Sequence, residues 1–219
     1  MDPAAAARLI DACAAGIVVM GILIAGTRSI GRSIWLVAGE SLLIGVVGVG
    51  VGVATGAPHL VFGGLLAGLT KGLVVPVILG RILRQSPVRT ERHPYLGPRV
   101  TLVVAIVIAF AAVATVDGAA LGGRLVAPQA LPAAVAEILT GLLIAMTRRK
   151  GLSIIVGLLV FENGVALTAF SLTYGMPLVI ELGIVFDLLI AIAVVWVYAR
   201  RMLTVFGSMS TDELRSLRG

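Results

Sequence analysis

TRRKGLSIIVGLLVFENGVALTAF, running from Thr147 to Phe170, is the stretch that decides the fold. A basic hinge, Arg148–Arg149–Lys150, leads into an apolar run. The run is broken once, by Glu162 and Asn163, and resumes through Val165, Ala166, Leu167 and Phe170. In water an acid in such a place would mark the solvent face of a helix, but this run has no polar face. Glu162 lies thirteen residues beyond Arg149, which is roughly 20 Å at the helical rise. The hydrocarbon core of a bilayer is about 30 Å thick. Glu162 is therefore expected well inside a membrane, where an ionisable side chain is a functional candidate by default.

Composition supports that reading. The chain has 219 residues, is 59% hydrophobic and 13% charged, and has a mean hydropathy of +1.10. Soluble domains carry about 25% charge, so the expected class is an all-α integral membrane protein. The net charge of +6 is then no sign of nucleic-acid binding, because the charges must first be placed relative to the bilayer. The single cysteine, Cys13, excludes an intrachain disulfide and a cysteine-ligated cluster built by this chain alone. His59 and His93 are far apart and next to prolines, a poor basis for a metal site. No cofactor is expected in this chain. The sequence has no CxxC, no haem-spaced histidine pair, no dinucleotide-binding glycine signature and no P-loop. The first apolar run lacks an obvious cleavage site and reads as a retained helix.

Seven apolar runs follow in order: about 9–25, 34–54, 59–83, 100–116, 128–146, 152–172 and 177–199. The second is rich in glycine, which lets helices approach closely in lipid. Such glycine- and alanine-rich faces on the second and fourth helices are expected to be buried against partner subunits. The third contains Lys71 and Pro76, so a bend is expected there. The longest polar connection, RQSPVRTERHPYLGPR from Arg84 to Arg99, reads as a loop outside the membrane; its Arg92–Tyr95 portion suits contact with a partner better than catalysis. With seven helices, fourteen Lys and Arg residues fall on one side, and only Arg8 and Arg124 on the other. The positive-inside rule then places the N-terminus outside and the C-terminus in the cytoplasm.

Measured from the basic clusters along each helix, five ionisable residues fall near mid-membrane. The depths are roughly 12 Å for Glu40, 15 Å for Lys71, 16 Å for Glu137, and 20 Å for both Glu162 and Asp187. Glu181 is nearer the outer surface, at roughly 28 Å. Some of these groups could pair only for structure, and Asn163, some 100° around the helix from Glu162, could simply hold a neighbouring helix. A row of buried carboxylates with one buried lysine is nevertheless suited to proton transfer, because the charge on each responds to its neighbour.

The strings EILTGLLIAMTRRKGLSIIVGLLVFENG and PLVIELGIVFDLLIAI carry a resemblance. The chain resembles the hydrogenase-4 component E family, membrane subunits of group 4 energy-converting hydrogenases and formate hydrogenlyase relatives. The span from about Leu131 to Arg201 is also similar to subunit K of bacterial complex I and to its counterpart in the Mrp sodium/proton antiporters. The match is loose over the whole chain and specific over the last third. It implies a division into an N-terminal four-helix region (1–127), a subunit-K-like three-helix region (128–203) and a cytoplasmic tail (204–219). Glu162 matches the buried glutamate of subunit K's second helix. The acid of its third helix corresponds to Glu181 by string context or to Asp187 by depth, and an Asp would depart from the family's usual Glu.

The resemblance implies a non-catalytic, multi-pass subunit of the prokaryotic inner (plasma) membrane, with catalysis by this chain alone improbable. Its proton relay would draw on Glu162, Asp187, Glu181, Glu137, Lys71 and Glu40. Its partners would be antiporter-like membrane subunits and the membrane anchor of a hydrogenase or related redox arm, with a nickel-iron centre and iron-sulfur clusters in partner subunits. The alternative is a subunit of a Mrp-type cation/proton antiporter or another ion-coupled complex without a redox arm. A purely structural scaffold is a third reading.

Overall fold

Backbone amides cannot be left unpaired in lipid, so long apolar segments of this composition must form helices. In a computed structural model, which describes residues 3–85, 90–91, 94–116 and 130–172, they do. Helix α1 runs over Pro3–Gly26 and α2 over Ile30–Thr55. Helix α3 (Pro58–Leu69) continues through a π-helical turn at Thr70–Val74 into α4 (Val75–Gln85). Helices α5 (Pro98–Thr115), α6 (Ala130–Thr147) and α7 (Gly151–Leu172) follow. The segments from α3 to α4 make one span, so the described residues hold six helices long and apolar enough to cross a membrane. The seventh run, with Glu181 and Asp187, lies outside the described residues.

Local sequence sets the boundaries. Ser29 caps α2, its side chain accepting from the Arg32 amide. Gly56, at φ 68°, closes the same helix in the left-handed conformation that glycine adopts freely. Pro58 and Pro98 open α3 and α5 at the first turn, where a missing N–H costs nothing. The bend expected from Pro76 takes the form of the π-helical turn. The Val75 amide reaches back to the Thr70 carbonyl, and the widened turn takes up the misfit of a proline inside a helix.

Helices α1, α2, α6 and α7 pack together, α3 and α4 lie along α2, and α5 lies against α1 and α6. The interior is layered. One apolar layer joins Ile10 and Ile17 of α1, Ile44 and Val47 of α2, Ala134 of α6 and Leu167 of α7. The other joins Ile24, Ile34, Val37, Ile144, Val156 and Val160 from the same four helices with Leu79 and Leu83 of α4. Between these layers α2, α6, α7 and the π-helical turn carry buried polar side chains. The periphery is apolar, with Trp35, Phe62, Phe110 and Met146 widely exposed.

The glycines of α2 are used inside the chain, contrary to the expectation of a face kept for partner subunits. A Cβ on Gly48 would lie 2.7 Å from the Gly64 Cα, and one on Gly64 would lie 2.7 Å from the Val49 amide nitrogen. Helices α2 and α3 therefore meet backbone to backbone, as small residues allow in lipid. On α5, Ala105 and Ala112 are buried within the chain, while Val103, Val107 and Phe110 are exposed. Gly64→Leu is expected to force α3 off α2, and thermal unfolding in detergent should show the loss as a clearly lowered midpoint.

Candidate functional site: a buried polar layer

Side chains from four separate elements converge between the two apolar layers. Lys71, in the π-helical turn, places its Nζ 2.7 Å from the Glu162 Oε1 of α7. Both side chains are buried, at 6% and 3% exposure. Glu40 of α2 and Glu137 of α6 are beside one another, and Lys71 and Asn163 are close to Glu40. Glu40 is 0% and Glu137 1% exposed. The four ionisable groups that the sequence places at similar depth on described helices thus come together in one cluster.

The Glu40–Glu137 pair has a definite chemistry. None of its four carboxylate oxygens has a well-formed hydrogen-bond partner among the described residues. Two ionised carboxylates are both pure acceptors and cannot bond each other, whereas one shared proton supplies the missing donor. Charge balance gives the same result. Three buried acids face one buried lysine among the described residues of this layer, and an uncompensated charge in such an interior is very costly. Protons on the carboxylates, or a bound cation, must make up the difference.

Several residues that position this cluster carry no obvious mark in the sequence. Gly21 of α1 sits under the Glu137 carboxylate; a Cβ there would collide with it, coming within 2.7 Å of Oε2. Ser41 of α2 accepts from the Asn163 Nδ2 at 3.1 Å, tying α2 to α7 beside Glu162. Asn163 therefore does hold a neighbouring helix. Thr140, one turn from Glu137 on α6, is also buried.

The basic hinge is built rather than merely solvated. The Arg148 Nη2 donates to the carbonyl of Ala25 at 2.8 Å and, at 3.4 Å, to that of Ile24. It thereby satisfies the open carbonyl end of α1 with a positive charge. Burial pulls the Arg148 guanidinium below its usual pKa, and Glu91 opposes that shift. Glu91, the only acid in the loop between the third and fourth runs, is 1% exposed. It accepts from the Ser153 hydroxyl at 2.8 Å and from the Arg149 amide at 3.2 Å. Its own amide donates to the Arg28 carbonyl, and the Arg149 guanidinium lies 4.2 Å from the centre of the Tyr95 ring. The loop is thus fastened both to the α1–α2 turn and to the hinge. The one signal for Glu91 in the sequence is its sign, a lone acid among arginines. Arg148→Ala would leave the α1 carbonyls and Glu91 without this partner. The expected loss is about 1–3 kcal/mol of stability, read by denaturant or thermal unfolding in detergent.

These features define a multi-spanning, all-helical protein of the inner membrane with a buried layer of charged residues of the kind that serves ion translocation. The chain belongs to the same family as the uncharacterized protein Rv0085 of Mycobacterium tuberculosis, with which it is 30% identical over 211 residues, 96% of each chain. It is also distantly homologous to hydrogenase-4 component E. The identity with that protein of Escherichia coli is 28% over 163 residues, 74% of this chain and 76% of the relative. The figures for the Shigella flexneri protein are the same. No family model matches the chain, and no solved structure matches it significantly.

Proposed function

We propose that this chain is a non-catalytic membrane subunit of a hydrogenase-4-like, complex-I-related energy-converting complex. In this reading its buried carboxylates carry protons across the middle of the membrane in step with redox chemistry elsewhere in the assembly. The observation that carries the proposal is the meeting of Glu40, Lys71, Glu137 and Glu162, from four elements, in one buried layer. Each group is placed to change its charge when a neighbour does. Lys71 and Glu162 form the compensated part, and Glu40 and Glu137 the part that must hold a proton or a cation. The seventh helix, over about 177–199, would add Glu181 or Asp187, with the N-terminus outside and the C-terminus in the cytoplasm. The division at about residue 128 would mark where likeness to subunit K begins, although α6 and α7 pack directly on α1 and α2.

The partners are antiporter-like membrane subunits and the membrane anchor of a redox arm. The nickel-iron centre and iron-sulfur clusters would belong to the partner subunits of the redox arm. Purification of the tagged chain from its native membrane, with identification of what comes with it, tests the assembly. Hydrogenase-type large and small subunits are the expected result. Antiporter subunits with no redox protein would replace this reading with that of a cation/proton antiporter component.

A further inference from the structure

A small cleft opens at the basic end of the bundle, with room for about one water molecule. Its polar walls include Glu91, Arg148 of the hinge and Ser153 of α7. Its other walls include Ser33 of α2, Ile144 of α6 and Val156 of α7. Each of these three is seven residues from a member of the buried cluster: Ser33 from Glu40, Ile144 from Glu137 and Val156 from Asn163. Seven residues are nearly two helical turns, so each pair shares a face and is separated by roughly 10 Å along the axis. Three helices therefore aim the cleft and the acid pair along one line. Only about one turn of packing lies between, and Val37, Thr140 and Val160 fall in it, all buried. Thr140 brings a hydroxyl to that barrier, a group that can both donate and accept.

We propose that this cleft is the aqueous mouth through which protons reach the Glu40–Glu137 pair from the basic side of the membrane, with the Thr140 hydroxyl as the stepping group. A water in the cleft accepts a proton from the bulk and donates one to the Thr140 hydroxyl, which passes its own proton to a carboxylate, so that the water and the hydroxyl are both restored. Glu91 acts as a positioning residue. It holds Ser153 in the cleft wall and ties the hinge down through the Arg149 amide, while Arg148 is drawn onto the end of α1 instead of across the opening. This path deepens the relay reading of the buried layer and rests on it.

The test uses the native complex in inverted membrane vesicles, in a Cys13→Ala background that leaves the introduced thiol as the one cysteine of this chain, whose labelling is read on its own gel band. Ser33→Cys should be blocked by silver ion added from the cytoplasmic side, read as loss of maleimide labelling after denaturation. Val37→Cys, one turn deeper, should react at least about tenfold more slowly. Thr140→Val, which keeps the shape and removes the hydroxyl, should lower proton-coupled turnover at least about tenfold with unchanged assembly. Ser33→Cys that stays unblocked from the cytoplasmic side overturns the mouth, whatever Glu162→Gln does. Full coupling in Thr140→Val overturns the stepping role. Full coupling in Glu162→Gln overturns the relay instead and leaves silver access to Ser33→Cys as a separate result.

Discussion

Lys71→Met should remove most of the assembled complex from the membrane, and adding Glu162→Gln to it should bring assembly back without restoring coupling. The contact between Lys71 and Glu162 spans 2.7 Å, with both side chains buried. Removing the lysine strands the carboxylate charge, at a cost of about 3–5 kcal/mol. Removing both leaves polar or apolar groups of similar volume, which a buried site tolerates far better. The double variant separates the two meanings of the pair. Assembly, followed by native gel and co-purification, should report charge balance. Coupling, followed as proton uptake into vesicles, should report chemistry that neither Met nor Gln can supply. Assembly that is lost as badly in the double variant as in Lys71→Met would show that the lysine is held by something other than Glu162.

Gly21→Ala should produce the opposite pattern, intact assembly with impaired coupling. The added methyl lands on the Glu137 carboxylate. That group is the far end of a flexible side chain and can move without unfolding α1 or α6. Moving it breaks the facing geometry with Glu40, and a reacting group misplaced by about 1 Å costs on the order of 10²-fold in rate. Gly141→Ala provides the contrast. There the new Cβ meets the Phe161 backbone, 2.5 Å from its Cα, and no side-chain rotation relieves the clash. It should therefore weaken the α6–α7 pair and the yield of complex. Equal effects of the two substitutions on assembly would mean that Gly21 serves packing alone.

Much of this arrangement was legible in the sequence. Six apolar runs became six membrane-length helical spans with small changes at their ends, because lipid leaves the backbone little choice. That Glu40, Lys71, Glu137 and Glu162 lie at one level of the bundle was legible too, since the helical rise is fixed and the basic clusters supply an origin. Which acid faces which was not. That depends on the rotation of each helix in its packing and, for Lys71, on a π-helical turn that shifts the face presented to α2 and α7. The anchoring of Arg148 on the carbonyls of Ile24 and Ala25 was equally hidden. A basic hinge reads as solvated charge, and only the packing of α1 beside α6 gives this one an internal partner. The placing of α2's glycines against α3, rather than against another subunit, also follows from tertiary contacts and not from composition. Glu181 and Asp187 fall outside the described residues, so the choice between them still rests on string context and depth.

The most direct test of the relay is proton translocation by the native complex carrying Glu162→Gln, measured in vesicles with assembly followed in the same preparation. The Gln amide oxygen can still accept from Lys71, and Glu40 lies close enough to offset the lysine's charge. The relay therefore predicts a complex that assembles and retains electron transfer, with proton movement falling by about tenfold or more. A complex that assembles and translocates protons at the full rate would contradict it, leaving Glu162 as a partner for Lys71 and nothing more.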